Sequence, residues 1–121
     1  MRTLVVDDSR TMRTILRRTL AELGHHDVEE AGHGVEALAR FEERVPDLAL
    51  VDWNMPVMGG RELVLALREV RAYDSARIVV VTSETSPRIV VEALRAGAAE
   101  YAMKPVTADV VEAKLALLGL A

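Results

Sequence analysis

Five polar residues of this sequence follow short apolar runs at four separate places along the chain. They are Asp7, Asp8, Asp52, Thr82 and Lys104. Two carboxylates about 4 Å apart repel each other by about 4 kcal/mol at an effective dielectric of about 20, so a cluster of acids needs a cation. Oxygen ligands favour Mg²⁺ over a softer transition metal. If these residues meet in space, they form a magnesium site with a hydroxyl and an ammonium beside it.

The same residue types predict phosphoryl-transfer chemistry. The carboxylate of Asp52 can attack phosphorus and form an aspartyl phosphate. Mg²⁺ and the ammonium of Lys104 would then neutralise two of the phosphoryl oxygens, and the hydroxyl of Thr82 would donate a hydrogen bond to the third. Lys104 departs from the chain's usual choice of cation, because it and Lys114 are the only two lysines among 15 basic residues.

The apolar runs alternate with amphipathic segments along the whole chain. Strands are predicted at 4–6, 26–30, 48–51, 78–81 and 99–103, and helices at 12–23, 35–45, 63–70, 86–96 and 107–118. Strands that are apolar throughout and separated by helices form a parallel sheet covered on both faces. The carboxyl ends of parallel strands share one edge of a sheet. The five polar residues are therefore expected in one shallow pocket, with Asp52 at the mouth of the sheet and outside the core.

Each of these residues also has a simpler explanation when it is taken alone. Asp8 or Ser9 can cap the first helix, and Asp52 can open a turn. Thr82 can be an ordinary turn hydroxyl, and Lys104 a solvated side chain with its stem on apolar surface. The functional interpretation depends on all of them reaching the same edge of the sheet.

Length and composition restrict the class of protein. A chain of 121 residues with 50% apolar residues builds one globular domain. The net charge of −4 disfavours a nucleic-acid partner, which would require a basic face. The lack of cysteine excludes disulfides and thiolate chemistry, and no apolar run is long enough to span a bilayer. We expect a cytoplasmic protein with no membrane partner.

Four separated segments resemble the receiver domain of two-component response regulators. They read "VVDDS", "VDWNMPVMGG", "VVVTSE" and "AAEYAMKPV", and the resemblance extends from end to end of the chain. Within that family the sequence is most similar to the single-domain CheY-like subfamily of chemotaxis regulators. The resemblance implies a doubly wound, flavodoxin-like (βα)₅ fold with strand order 2-1-3-4-5, which is one of the common orders of such folds. It also implies one receiver domain over residues 1–121 with no output domain.

The resemblance further implies roles for matching positions around the acids. Asp7, Asp8 and Asp52 would bind Mg²⁺ through their side chains, and Asn54 through its backbone carbonyl. Asp52 would also be the phosphoacceptor. Asn54 and Glu84 stand where the family tunes the hydrolytic water, so they would set the lifetime of the phosphorylated state.

Further positions match the switch residues of the family. Thr82 would be the switch hydroxyl, and Lys104 the phosphate-binding lysine in a cis peptide bond with Pro105. Tyr101 would be the aromatic residue that moves inward when the threonine moves toward the phosphate. The protein would then be a signalling switch that catalyses only its own phosphorylation and dephosphorylation.

The implied partners are proteins. A sensor histidine kinase, similar to CheA, would supply the phosphoryl group. A downstream protein, either the flagellar motor switch or a phosphotransfer protein, would dock on the face formed by the fourth helix, fifth strand and fifth helix. The unphosphorylated protein would be a monomer. Val106 borders this face and stands where relatives often have phenylalanine, while Ser9 and Gly59 are departures near the pocket.

Three other functions are compatible with parts of this pattern. A phosphorelay intermediate would use the same chemistry and pass its phosphate to a histidine phosphotransfer protein. A Mg²⁺-dependent phosphohydrolase is disfavoured by Asn54, which stands where a second aspartate would act as acid and base. A nucleotide- or flavin-binding domain is disfavoured because "DDSRT" has no glycine to let a phosphate approach the first turn.

Overall fold

Strands and helices alternate strictly in the computed structural model, which describes residues 1–84 and 86–120. The elements are β1 (Thr3–Val6), α1 (Arg10–Glu22), β2 (Val28–Ala31), α2 (Gly34–Glu43), β3 (Leu48–Asp52), α3 (Gly60–Arg68), β4 (Arg77–Thr82), α4 (Pro87–Ala96), β5 (Glu100–Met103) and α5 (Ala108–Leu117). A short 3-10 helix at Arg71–Tyr73 precedes β4. All four strand pairings are parallel, and the order is β2-β1-β3-β4-β5. The predicted α/β class and strand order are confirmed.

Alternate residues of the central strands enter two separate hydrophobic clusters. Val80 of β4 packs in the cluster that contains Phe41 of α2 and Leu67 of α3. Its neighbours Val79 and Val81 pack in the other cluster, with residues of α1 and α5. Strands that are buried on both faces in this way read as continuous apolar runs in the sequence.

Helix ends follow the capping residues that the sequence contains. The side chain of Ser9 accepts a hydrogen bond from the Met12 amide and caps α1, so Ser9 rather than Asp8 has the capping role. Ser86 caps α4 and is followed by a proline at the first helical position, as predicted. Gly97 ends α4 with a φ of 119°, a left-handed conformation that glycine adopts without strain.

Some predicted boundaries and inward faces were wrong. β2 begins at Val28, and α3 ends at Arg68, so Val70 lies beyond the helix and is 41% exposed. Val35 is 62% exposed, because α2 turns Ala37 and Phe41 inward instead. The buried residues of α2 are Gly34, Ala37 and Phe41, and Leu38 packs against the same cluster, so Val35 lies beside this inward stripe. Among the described residues, no helix is long and apolar enough to cross a membrane.

Candidate functional site

Asp7 follows β1 directly and is held by several contacts. Its side chain is almost completely buried, and the residue is 1% exposed. Its amide donates to the carbonyl of Ala31 at 3.1 Å, and its Oδ1 accepts from the amide of Ser9 at 2.9 Å. Its other carboxylate oxygen, Oδ2, is buried and has no hydrogen-bond partner among the residues that the structure describes.

Asp52 is the last residue of β3 and is only 4% exposed. The expectation that it would lie outside the core was therefore wrong. The loop after it folds back, and the amide of Gly60 donates to the carbonyl of Trp53 at 2.9 Å. A Cβ at position 60 would lie 2.6 Å from the carbonyl oxygen of Asp52. Helix α3 thus begins directly against the backbone at the end of β3.

Lys104 joins the two buried aspartates. Its Nζ donates to Oδ1 of Asp52 at 3.1 Å and lies 3.6 Å from Oδ2 of Asp7. Its amide donates to the carbonyl of Thr82 at 2.8 Å, which fixes the end of β5 against the end of β4. The peptide bond between Lys104 and Pro105 is cis. One ammonium therefore serves two carboxylates.

The balance of charges at this point is unfavourable to Asp52. Burial, followed by the negative charge of Asp7, raises the pKa of Asp52 above its ordinary value, although the hydrogen bond from Lys104 opposes the shift. Burial would lower the pKa of Lys104, but its hydrogen bond with Asp52 and the charges of both acids outweigh burial and raise it. Both shifts have the same cause, because two buried carboxylates share one ammonium and the site lacks positive charge.

A divalent cation fits this group of residues. Carboxylate oxygens of Asp7, Asp8 and Asp52 lie within 4.8 Å of one another. Asp8 is exposed, so the group opens to solvent on that side, where a hydrated ion can enter. The unpartnered Oδ2 of Asp7 is a ready ligand, and a set of hard oxygen donors suits Mg²⁺, which keeps several waters when few carboxylates bind it.

Four other predicted residues lie at or near the same edge. Thr82 is 1% exposed, and its Oγ1 accepts a hydrogen bond from the amide of Glu84 at 3.1 Å. The side chains of Glu84 and Asn54 are exposed. Tyr101 lies further along β5 and is half-buried, with its ring centroid 4.5 Å from Nζ of Lys114. The hydroxyl of Thr82 is therefore part of the buried site, whereas Tyr101 lies outside it, beside Lys114 of α5.

The loop between β3 and α3 contains Pro56 and two glycines, Gly59 and Gly60. In the structure the left-handed residue is Val57, with a φ of 68°, and its side chain is fully exposed. A β-branched residue in this region is strained. Gly60 is needed for the close approach to Asp52 instead of for an unusual φ.

One contact of the site was missed by sequence reasoning. Arg13 of α1 donates from Nη1 to the carbonyl oxygen of Asp7 at 2.7 Å. Arg13 is one of several arginines on α1, and the pattern of the sequence does not separate it from the others. The only signal available was its distance of six residues from Asp7, which allows a side chain of the first helical turn to reach back to the end of β1.

Comparison with known proteins identifies the class. The family model for the response regulator receiver domain matches residues 3–116. The chain belongs to the response regulator receiver domain family. Its strand order and its acidic cluster are those that the resemblance in the sequence implied.

Individual relatives narrow the likeness to CheY-type proteins. The chemotaxis protein CheY homolog of Campylobacter jejuni is 49% identical over 117 residues, which cover 95% of this chain and 89% of that protein. The chemotaxis protein CheY1 of Helicobacter pylori is 43% identical over 116 residues, which cover 95% and 94%. The solved structure of Vibrio cholerae chemotaxis protein CheY4 is 36% identical, with a TM-score of 0.88 and 96% of each chain covered. The fold is thus the CheY-like variant of the flavodoxin architecture.

Proposed function

We propose that this chain is a CheY-type chemotaxis switch that accepts a phosphoryl group on Asp52 from a sensor histidine kinase in a Mg²⁺-dependent reaction. The observation that carries the proposal is the position of Asp52. Its carboxylate is 4% exposed, lies 3.1 Å from the ammonium of Lys104, and shares a cluster with Asp7 and Asp8. Relatives named as chemotaxis proteins at 43–49% identity support the chemotaxis role.

Phosphoryl transfer in this site is a single displacement. An oxygen of Asp52 attacks the phosphorus of a phosphohistidine on the kinase. The new O–P bond forms while the P–N bond breaks, and the leaving imidazole nitrogen keeps the electron pair and takes up a proton from solvent. When bound at Asp7, Asp8 and Asp52, Mg²⁺ supplies positive charge to the transferring group. The backbone carbonyl of Asn54 is proposed as a further ligand.

The residues of the chain supply orientation and charge. Lys104 already lies within hydrogen-bond distance of Asp52, so its ammonium is placed where the negative charge of the phosphoryl oxygens develops. Thr82 uses its oxygen to accept from the Glu84 amide, which leaves its own proton available to a phosphoryl oxygen. Burial of Thr82 excludes competing water from this side of the acceptor.

Signal output would use the face of α4, β5 and α5. Movement of Thr82 toward the phosphate would vacate space for Tyr101, which lies on β5 two residues before Met103 at the strand end. Apolar side chains on these three elements are exposed, namely Val91, Leu94, Met103 and Leu117. Such surface suits a protein partner, either the flagellar motor switch or a histidine phosphotransfer protein. The exposed Asn54 and Glu84 are proposed to tune hydrolysis.

Phosphorylation with a small phosphodonor such as acetyl phosphate tests the acceptor. Intact-protein mass spectrometry should detect one added phosphoryl group in the presence of Mg²⁺ and none after chelation. Asp52→Ala should abolish the adduct, whereas Asp27→Ala, which removes an exposed carboxylate, should leave it unchanged. Lys104→Gln should slow the reaction by roughly a hundredfold, because one charged donor to the transition state is lost. An adduct that persists at full stoichiometry in Asp52→Ala would contradict the proposal.

Partner binding separates the related roles. Pull-downs with phosphorylated and unphosphorylated protein should recover a motor-switch protein selectively with the phosphorylated form. Recovery of a histidine phosphotransfer protein, with transfer of the phosphoryl group to it, would favour a phosphorelay. Steady turnover of an ordinary phosphate monoester would favour a phosphohydrolase instead.

A further inference from the structure

Asp7 is constrained at every polar group except the one that would bind a cation. Its amide donates to Ala31, its Oδ1 accepts from Ser9, and its carbonyl oxygen accepts from Arg13. Oδ2 is buried and has no hydrogen-bond partner in the described part of the chain, and Nζ of Lys104 lies 3.6 Å from it, beyond hydrogen-bond distance. Three hydrogen bonds therefore orient Asp7 and leave one carboxylate oxygen available. We regard this oxygen as a preorganised ligand, because a ligand that is already oriented loses little entropy on binding.

Of the three residues that form hydrogen bonds with Asp7, Arg13 is the one that uses its side chain. Its Nη1 lies 2.7 Å from the carbonyl oxygen of Asp7, and its Nε lies 3.0 Å from Oε1 of Glu30. The side chain is only 17% exposed, so both contacts are shielded from solvent. Gly32 leaves room for the guanidinium, since a Cβ there would lie 3.3 Å from Nη1. The planar fork of arginine can bridge a carbonyl and a carboxylate at once, which a lysine ammonium on a flexible stem does poorly.

Glu30 neutralises the charge that this contact brings toward the cation site. Its two carboxylate oxygens are shared, with Oε1 bound to Arg13 and Oε2 bound to Arg17 at 3.0 Å. Burial acts to raise the pKa of Glu30, but the two guanidinium groups outweigh it and lower the pKa below the ordinary value, so this residue is ionised at neutral pH. A guanidinium can therefore hold Asp7 with much of its repulsion toward a bound cation offset.

We propose that Arg13 is a positioning residue for the Mg²⁺ site: its guanidinium, oriented by Glu30, fixes the main chain of Asp7 so that Oδ2 is presented to the cation. This inference rests on the proposed function, since it concerns the cation that the phosphoryl-transfer site requires. It assigns to α1 a role in metal affinity in addition to its packing against the sheet.

An electrostatic role and a positioning role of Arg13 predict opposite effects on Mg²⁺ binding when the Arg13 side chain is replaced. If Arg13 acts only as a nearby positive charge, Arg13→Gln should tighten Mg²⁺ binding, because a repulsive charge is lost. If it positions Asp7, the same variant should weaken binding by roughly tenfold, as expected for loss of a residue that orients a metal ligand. Arg13→Lys keeps the positive charge but loses the guanidinium that joins the Asp7 carbonyl to Glu30, so a positioning role predicts weaker Mg²⁺ binding here too. A purely electrostatic role predicts no change in affinity for this variant.

Calorimetric titration with MgCl₂ measures the affinity directly. The matched control is Arg17→Gln, which removes an equal charge from the same carboxylate but does not contact Asp7. It should change the dissociation constant by less than about twofold, as for a partly exposed ion pair. Trp53 fluorescence gives a second readout beside Asp52. Phosphorylation by a small phosphodonor should need more Mg²⁺ in Arg13→Gln, with a maximal rate near that of the wild type at saturating Mg²⁺.

Equal or tighter Mg²⁺ binding by both Arg13 variants would overturn the inference. Metal-free thermal unfolding identifies a variant that fails to fold, and the conservative Arg13→Lys then carries the test. In those outcomes the wild type still binds Mg²⁺ and is phosphorylated on Asp52, so the proposed function survives. A wild-type protein that binds no Mg²⁺ would instead overturn the proposed function and this inference together.

Discussion

Arg68, near the amino edge of the sheet, and Asp52, at the carboxyl edge, are charged side chains that differ in what surrounds them. The guanidinium of Arg68 donates to three carbonyl oxygens: Nε to Gly97 at 2.9 Å, Nη1 to Tyr73 at 3.0 Å and Nη2 to Ala76 at 2.8 Å. Burial lowers the pKa of Arg68. These three bonds join the ends of α3 and α4 to the start of β4, so this charge serves the fold.

Asp52 has much less support. Its Oδ1 accepts from a single ammonium, and that ammonium also faces Asp7. Near the amino edge the hydroxyl of Thr3 also lacks a partner among the described residues, but an unpartnered neutral hydroxyl is less unfavourable than a poorly compensated buried carboxylate. The two edges of the sheet therefore have different roles. One edge uses buried charge to hold elements together, and the other keeps charge uncompensated for a ligand.

Removal of Arg68 is expected to give the largest loss of stability. Arg68→Met should lower the free energy of unfolding by about 3 kcal/mol, because it leaves three shielded carbonyl oxygens without donors. Urea unfolding followed by circular dichroism measures the change. Arg71→Met is the control, because Arg71 is exposed, and it should change the free energy of unfolding by less than about 0.5 kcal/mol. Equal effects of the two substitutions would remove the contrast between the edges.

Removal of the charge of Asp52 should act in the opposite direction. In metal-free solution Asp52→Asn should raise the melting temperature by a few degrees, since repulsion by Asp7 and burial of the charge are both relieved. Mg²⁺ at ten times its dissociation constant should stabilise the wild type by about 1.4 kcal/mol, and Asp52→Asn by much less. Differential scanning calorimetry with and without Mg²⁺ measures both. Equal Mg²⁺ shifts in the two proteins would show that the ion does not bind at Asp52.

The pH dependence follows from the raised pKa of Asp52. Its folded-state pKa lies above that of the unfolded chain, so a neutral Asp52 contributes stability below the unfolded value. This contribution is lost as the pH rises through the folded-state pKa. The stability advantage of Asp52→Asn over the wild type should therefore widen between about pH 4 and pH 7 in the absence of metal. An advantage that shrinks over this range would contradict the assigned cause.

The sequence predicted the fold well because the governing signals are local and repeated. Continuous apolar strands indicated a parallel sheet, and residues such as Ser86 and Gly97 marked helix ends by their own chemistry. The convergence of Asp7, Asp52 and Lys104 followed from topology alone, because carboxyl ends of parallel strands share an edge.

The sequence failed where the answer depends on close packing between distant segments. The close approach of Gly60 to the backbone of Asp52 depends on how the loop folds back, and the left-handed turn falls on Val57, a β-branched residue type that does not predict such a turn. The contact of Arg13 with the Asp7 carbonyl is likewise a tertiary detail, since backbone acceptors carry no mark in a sequence. Arg68 was missed for the same reason.

The smallest expected effect concerns a half-buried charge with a single carboxylate partner. Nζ of Lys114 lies 3.2 Å from Oε1 of Glu100 at the start of β5 and 4.5 Å from the centroid of the Tyr101 ring. Lys114 should contribute far less than Arg68, because it has one carboxylate partner, whereas Arg68 donates to three carbonyl oxygens. A double-mutant cycle with Lys114→Met and Tyr101→Leu should give a coupling energy of about 0.5–1 kcal/mol from urea unfolding. The control pair Arg88→Met and Tyr101→Leu should give none, because Arg88 pairs with Glu92 on the exposed side of α4. A coupling energy as large as the loss expected for Arg68→Met would mean that Lys114 holds the Tyr101 ring firmly. Burial alone would then not determine how much each charged residue contributes to the free energy of unfolding.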